Sequence, residues 1–407
     1  MYRKCLVFLF IISFAASCGG GEADLSNGSS SGKENKIMET SLYPVLYADR
    51  RKSSYMDLSS SAKGIIGWSK LLNEDTTAPF NASALLMTDK HIVIYSDDEI
   101  QGLSIDGKKL WTREYWPSSP VSIFADRVYY RKPDQINELG AALLGGGAME
   151  KQMYILNSTE NSYPFYIEPF KDDFIAVSFD RIARSQGPSR MVVYRKPYEE
   201  MEYAWVSEIE GPPALLPLDI SELEKLVIFS ETEIIVFNSI TDGDDGDVYK
   251  RFDKPVTEIN ACSADKEGHL YILSGDDDKL TLTVISVAGE TEWQWSAPMP
   301  GANLPESRPP ILGVENKVHI LTDDSVFTVK AGELLWTLGD YGQAVNYGTA
   351  LSDGTLLIVA GNQLYRLADN GEVMFRVTLD YQITAPPVID ADGNIYVVSA
   401  NAVTQIK

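Results

Sequence analysis

A glycine followed four residues later by a large aromatic recurs five times, as Gly64–Trp68, Gly107–Trp111, Gly289–Trp293, Gly332–Trp336 and Gly371–Phe375. In context these read "KGIIGW", "SIDGKKLW", "SVAGETEW", "VKAGELLW" and "LADNGEVMF". The glycine supplies the positive φ of a tight turn. Period two then places the aromatic on a fixed face of the next strand. A bulky side chain at the same point in each copy predicts that each copy packs on its neighbour.

A second element is a hairpin rich in Ile, Val, Leu and Tyr, counted eight times, with "KHIVIYSDDEIQGLSI", "TLLIVAGNQLYRL" and "NIYVVSANAVTQI" among the clearest. Two copies are interrupted: "RVYYRK" is separated from "MYILN", and "FIAVS" from "MVVYR". Units starting at Pro79, Pro120, Phe170, Pro213, Val256, Arg308, Asn346 and Thr384 recur at roughly 44 residues, the length of a four-stranded propeller blade. No ten-residue amphipathic stretch separates the strands, which disfavours a βαβ alternation. The expected fold is all-β: an eight-bladed propeller of four-stranded antiparallel blades over residues 64–407. Seven blades is the fallback, because blades two to four diverge.

The chain stops at "NIYVVSANAVTQIK", which supplies the inner strands of a last blade but no glycine-to-aromatic outer strand. "GIIGWSKLL" near the start has that outer-strand pattern and no hairpin of its own. Pairing the two segments would close the ring and remove free sheet edges.

The repeated "DGKKLW" and "APPVIDADGNIYVVS" resemble PQQ-like β-propeller repeats. That family includes quinoprotein dehydrogenases and non-enzymatic lipoproteins, among them the BamB-like lipoproteins of outer-membrane β-barrel assembly. The resemblance covers about residues 64–407 and speaks to fold more than to function. For a dehydrogenase it would imply a quinone in the propeller channel with a calcium ion, often above adjacent disulfide-bonded cysteines. Past the N-terminal region Cys262 stands alone, no segment matches the Glu/Asn/Asp set of those enzymes, and no C-x-x-C-H haem site is present. Cys262 reads as a small buried apolar residue. The expectation is therefore no catalytic residues and no cofactor.

The N-terminus bears on location. Arg3 and Lys4 precede the apolar run "CLVFLFIISFAA" at 5–16, too short to span a bilayer but suited to a signal peptide. "AASC" at 15–18 resembles a bacterial lipobox, which makes Cys18 the expected lipidation site. Residues 1–17 read as the signal peptide and 18–63 as a lipid-anchored tether and entry segment, its start rich in Gly and Ser. Gly19 after the cysteine resembles outer-membrane sorting, on either the periplasmic face or the cell surface. A formal charge of −23 argues against nucleic acid and against general adhesion to anionic lipid.

His91, His269 and His319 fall at or within strands of three different blades and read as strand polar residues rather than a metal or catalytic set. The acidic run "TDGDDGD" offers Asp242, Asp244, Asp245 and Asp247 as oxygen ligands for calcium. Its spacing does not fit an EF-hand, and a solvated turn is the preferred reading.

Within a blade, connections alternate between the two faces of the disc. The excursions at 133–152 and 179–190 and the connection "SAPMPGANLPESRPP" at 296–310 should therefore project from one face, a candidate working surface. There Arg181, Arg184, Arg190, Arg195 and Lys196, with Arg127, Arg131 and Lys132 of the preceding blade, form a basic concentration in an acidic chain. They are candidates for docking an acidic protein loop or a charged glycan; otherwise they pair with local acids. The stretch Leu139 to Leu144 either orders on a partner or caps its own blade. The resulting reading is a non-catalytic, lipid-anchored scaffold that binds envelope proteins through the decorated face, as a monomer within a complex. The membrane is met through the lipid anchor only. A propeller binding glycan or a small cofactor is the alternative, with an enzyme third.

Overall fold

The computed structural model describes residues 41–43, 54–73, 80–96, 99–115, 121–124, 127–131, 138–146, 149–154, 162–170, 173–181, 189–195, 202–209, 218–220, 223, 225–230, 232–238, 248–256, 259–275, 278–298 and 308–407. Among them the strands form eight sheets, each built on a four-stranded antiparallel run. Sheet 1 holds Ala84–Thr88, His91–Tyr95, Glu99–Ser104 and Lys109–Glu114. Sheet 2 holds Ser122–Phe124, Arg127–Arg131, Glu138–Leu143 and Met149–Tyr154. Sheet 3 holds Ser162–Phe170, Asp173–Arg181, Ser189–Arg195 and Glu202–Ile209. Sheet 4 holds Leu218–Ile220, Lys225–Phe229, Glu233–Asn238 and Val248–Asp253. Sheet 5 holds Ala261–Ala264, His269–Gly275, Lys279–Ser286 and Thr291–Pro298. Sheet 6 holds Ile311–Leu312, Lys317–Leu321, Ser325–Lys330 and Glu333–Gly339. Sheet 7 holds Val345–Leu351, Leu356–Ala360, Gln363–Leu367 and Val373–Thr378.

Sheet 8 draws on both ends of the chain. Val388–Ile389, Ile395–Ser399 and Ala402–Ile406 are completed by Ile66–Leu71, with Ile66 opposite Ile406 and Leu71 opposite Ala402. Ile65 and Lys407 exchange backbone hydrogen bonds of 2.9 and 2.7 Å. Asn401 seals the other end of the seam, its Oδ1 accepting from the backbone of Asn73 at 3.0 Å and Phe80 at 3.1 Å.

The second strands are continuous apolar runs because they are covered on both faces. Leu356–Ala360 and Ile395–Ser399 are buried at every position. Fourth strands lie outermost and are mostly exposed, as in Glu333–Gly339. The first strands of consecutive sheets lie against one another at several junctions, and the first two strands of sheet 8 pack on Ala84–Thr88 of sheet 1.

What joins neighbouring sheets is the glycine–aromatic element, working in pairs. Gly107 of sheet 1 has φ +81°, and a Cβ there would come within 2.8 Å of the Trp68 ring of sheet 8. Gly64 lies in the same way on Phe375 of sheet 7, Gly371 on Trp336 of sheet 6, and Gly289 on Phe252 of sheet 4. The indole N–H of Trp336 donates to the Asp369 carbonyl in the next sheet's turn at 2.9 Å, and Trp111 donates to the Leu144 carbonyl at 2.6 Å. A second latch lies further in: Ser263 Oγ donates to the Pro310 carbonyl at 2.9 Å and, at the equivalent place, Thr349 Oγ1 to Pro387 at 2.7 Å. The turn after the first strand is held by an aspartate. Asp390 accepts from the Asn394 backbone and the Tyr396 hydroxyl, as Asp265 does from His269 and Tyr271.

Two readings of the sequence are corrected. The stretch 133–152 is not an excursion from a hairpin closed by "MYILN". Arg127–Arg131 pairs with Glu138–Leu143, which pairs with Met149–Tyr154, so the segment supplies the third and fourth strands of sheet 2. Ala141, Ala142 and Leu144 are buried, which places this stretch in its own blade. Phe170 does not begin sheet 3 but ends its first strand, Ser162–Phe170.

Replacing Gly107 by Ala combines a left-handed backbone with ring overlap, and is expected to cost about 2–4 kcal/mol in urea unfolding. Gly146→Ala, whose Cβ would meet nothing within 4 Å, should change stability by no more than about 0.5 kcal/mol. Equal effects of the two would contradict the packing assigned to the glycine–aromatic pairs.

Candidate functional site

An antiparallel four-strand run has two kinds of end. First-to-second and third-to-fourth turns share one, here the turn end. Second-to-third turns and the connections between sheets share the other, the loop end.

Register places the basic candidates at both ends. Arg131 closes the second strand of sheet 2 at the loop end, opposite Leu139. Arg181 ends the second strand of sheet 3 opposite Ser189, and Arg190 stands beside it, flanked in register by Asp180 and Glu208. Arg195 ends the same strand that Ser189 begins, about 20 Å away at the turn end, with Glu202 as its register neighbour. Arg127 likewise starts its strand at the turn end. The described basic candidates therefore do not form one cluster: Arg131, Arg181 and Arg190 share the loop end, and Arg127 and Arg195 do not. Lys132, Arg184, Lys196, Cys18 and the acidic set Asp242, Asp244, Asp245 and Asp247 lie outside the described residues.

The loop end of sheets 6 and 7 adds a group that sequence reasoning passed over. Arg308 Nη2 donates to Asn346 Oδ1 at 2.9 Å and pairs with Asp323 at 3.2 Å. Burial raises the Tyr347 hydroxyl's pKa against the opposing pull of Arg308. The only signal for this group was an arginine directly before the Pro309–Pro310 pair that starts a blade.

The turn end is occupied by the chain itself. Tyr55–Met56 runs parallel to Ala350–Leu351 along the inner edge of sheet 7, and Ser41–Tyr43 pairs with Met87–Thr88 along the inner edge of sheet 1. Between sheets 7 and 8 the entry segment is clasped at several points. Ser54 and Leu58 carbonyls accept from the Ala350 and Ser352 backbone at 2.9 and 3.1 Å, and Ser60 Oγ donates to the Gly393 carbonyl at 2.7 Å. Arg366, almost wholly buried, donates to the Ala62 carbonyl at 3.3 Å while paired with Asp353 at 2.7 Å. Its charge is thus matched within the fold, as a buried guanidinium requires.

Comparison with known proteins adds three findings. Residues 322–406 match the family model described as outer membrane protein assembly factor BamB. Among solved structures, BamB from Moraxella catarrhalis aligns with a TM-score of 0.55 at 14% identity, covering 84% of this chain and 96% of that one. The quinohemoprotein alcohol dehydrogenase ADHIIG from Pseudomonas putida HK5 aligns with a TM-score of 0.61 at 11% identity, covering 89% and 80%. At these identities the structural likeness shows a shared propeller-type fold and nothing finer. No curated protein matches the chain by sequence.

The likeness to a quinone enzyme prompts a test of fit. At the turn end the inner edges of sheets 1 and 7 are taken by main chain from residues 41–43 and 55–56. Among the described residues no three His, Cys, Asp or Glu side chains come together as a metal set. The described residues at that end do not fit a quinone with calcium.

The histidines stand in sheets 1, 5 and 6, each tied locally. His319 is buried, shares a 2.7 Å hydrogen bond with Thr328, and packs on Trp336. Burial pushes its pKa down to about 4 from 6.5. The folded state thus resists a proton that the unfolded chain accepts, so stability falls as pH drops from 6.5 toward 4. A His319→Gln variant should lack this component, worth roughly 3 kcal/mol at the acid limit. Parallel stability–pH curves for the two proteins would contradict the assignment.

Proposed function

We propose that this chain, which carries PQQ-like β-propeller repeats, is an eight-bladed propeller closed by its first and last strands and serving as a non-catalytic protein scaffold. It acts at the bacterial outer membrane, held by a lipid on Cys18, in the assembly of outer-membrane proteins. The observation that carries this reading is the match of residues 322–406 to an outer-membrane assembly factor. Structural alignment over 96% of a BamB chain is in keeping with it. The pairing of Ile66–Leu71 with Ala402–Ile406 supports closure.

The docking surface in this reading is the loop end of sheets 2 and 3. Arg131, Arg181 and Arg190 stand there in a chain of formal charge −23, so they offer a local site for an acidic partner segment. Arg184 and Lys132 extend the site on sequence grounds. The partners are envelope proteins rather than nucleic acid.

Intact cells are crosslinked, the protein is purified, and attached species are identified by mass spectrometry. Charge reversal at Arg131, Arg181 and Arg190 is expected to reduce envelope-protein adducts at least tenfold with an unchanged melting temperature. Undiminished adducts would remove the loop end from the reading. A bound glycan or quinone recovered without protein would replace the scaffold with a ligand-binding propeller.

A further inference from the structure

The outer strands of three consecutive sheets expose aliphatic side chains between the turn glycine and its aromatic, one residue nearer the glycine in sheet 8 than in sheets 6 and 7. Leu334 and Leu335 of sheet 6, Val373 and Met374 of sheet 7, and Ile65 and Ile66 at the start of sheet 8's outer strand are 46–64% exposed. Each pair follows its turn glycine, so all six lie at the turn end of the rim.

A repeated bulge turns Leu335 and Met374 outward, and in sheet 8 it falls on Gly67. The register slips one residue before the aromatic in each strand, at Leu335, Met374 and Gly67. The three pairs are linked through the glycine–aromatic contacts. Leu335 precedes Trp336, which touches Gly371; Met374 precedes Phe375, which touches Gly64. Counted from the turn glycine, the places of Leu334 and Leu335 are taken by Thr291 and Glu292 in sheet 5, by Lys109 and Leu110 in sheet 1, and by Ile66 and Gly67 in sheet 8. Glu333 and Glu372 directly precede the pairs in sheets 6 and 7, and Glu292 and Lys109 stand in the flanking sheets, so the aliphatic band is a narrow strip edged by charge.

We propose that this band seats on the surface of a lipid bilayer, with the turn end toward the membrane and the loop end away from it. The inference rests on the lipid-anchor reading and extends it from attachment to orientation. Two features select a bilayer as the occupant. The entry segment, which leads back toward Cys18, is fastened to the turn end of sheets 7 and 8, beside the band. Residues 19–40 separate Cys18 from the first strand, and a flexible chain of that length would reach about 25 Å root-mean-square, so a molecule anchored at Cys18 would be held close to the bilayer. The second feature is chemistry. The band is aliphatic throughout, without the Trp, Tyr and Arg anchors that dominate protein interfaces, a composition suited to shallow insertion. Acidic Glu333 and Glu372 beside it predict contact with zwitterionic lipid as readily as with anionic lipid.

The test places an environment-sensitive fluorophore at Leu335→Cys, at Met374→Cys and, as a loop-end control, at Asp324→Cys. Each is examined in the acylated full chain on phosphatidylcholine vesicles. Each is also examined in the chain from residue 19 carrying a hexahistidine tag, held on nickel-chelating phosphatidylcholine vesicles. Expected is at least a twofold rise in emission with a blue shift at positions 335 and 374, and no change at 324. Vesicle-bound protein whose three probes all read as in solution would overturn the proposal. If the acylated chain fails to bind vesicles while the tagged chain gives the expected shifts, the anchor reading fails and the seated rim stands.

Discussion

The structure depends on the contact between a glycine in one sheet and an aromatic ring in the sheet before it. A four-stranded sheet buries one row of apolar residues on each face only if another sheet covers it. The ring supplies that cover at the outer strand, and the glycine is what lets the next turn come close enough to receive it. At Gly107 both demands meet, a φ of +81° and a Trp68 ring where a Cβ would stand. The aromatic also packs inward on the second strand, as Trp68 does on Tyr396 with centroids 6.0 Å apart. Because each contact spans two sheets, the stack is extended one neighbour at a time. The pair Trp68–Gly107 matters most, since it joins the sheet built from both chain ends to the first sheet.

The same topology sorts the molecule into two working ends. Arg131, Arg181, Arg190 and Arg308 stand where second-to-third turns and inter-sheet connections lie, and Arg127 and Arg195 stand at the other end. There the polypeptide's own entry segment lines sheets 1, 7 and 8. A fastening at Ser60, Arg366 and the Tyr55–Met56 strand makes the turn end an attachment point rather than an open mouth. The proposed anchored scaffold would use this division, with a partner approaching from the end away from the entry segment. The apolar rim of sheets 6 to 8 lies at the turn end.

Much of this was legible in the sequence where the repeat chemistry is strong. The glycine–aromatic spacing and the final "DADGNIYVV" specify sheets 1 and 5 to 8, including the partnership of the chain's two ends, because each signal has a direct steric or hydrogen-bonding cause. Sheet 2 was misread for an equally physical reason. Glu138–Leu143 and Met149–Tyr154 are poor in β-branched residues and are joined through Gly145–Gly147, so period and propensity both point to an insertion. In sheet 3, the prolines in "SYPFYIEPF" hid a first strand, a position on the inner edge where a missing N–H is tolerated. The division of the basic residues between two ends was invisible for another reason. Neighbours in sequence such as Arg190 and Arg195 are separated by the length of a strand, which only the register reveals. The outward-facing bulge that builds the apolar rim is likewise a property of pairing and not of composition.

Residues from the two ends of the chain form one sheet, the pairing on which the proposed closed ring depends. Ser69 and Thr404 face each other across that seam with hydroxyls 2.9 Å apart, although 335 residues separate them in sequence. With Cys262 buried, a Ser69→Cys, Thr404→Cys protein offers a direct measurement of the seam. Mild oxidation of the native protein should convert both new thiols to one intramolecular disulfide and raise the unfolding midpoint. Two thiols that stay fully titratable in the folded protein would show that the ends do not meet.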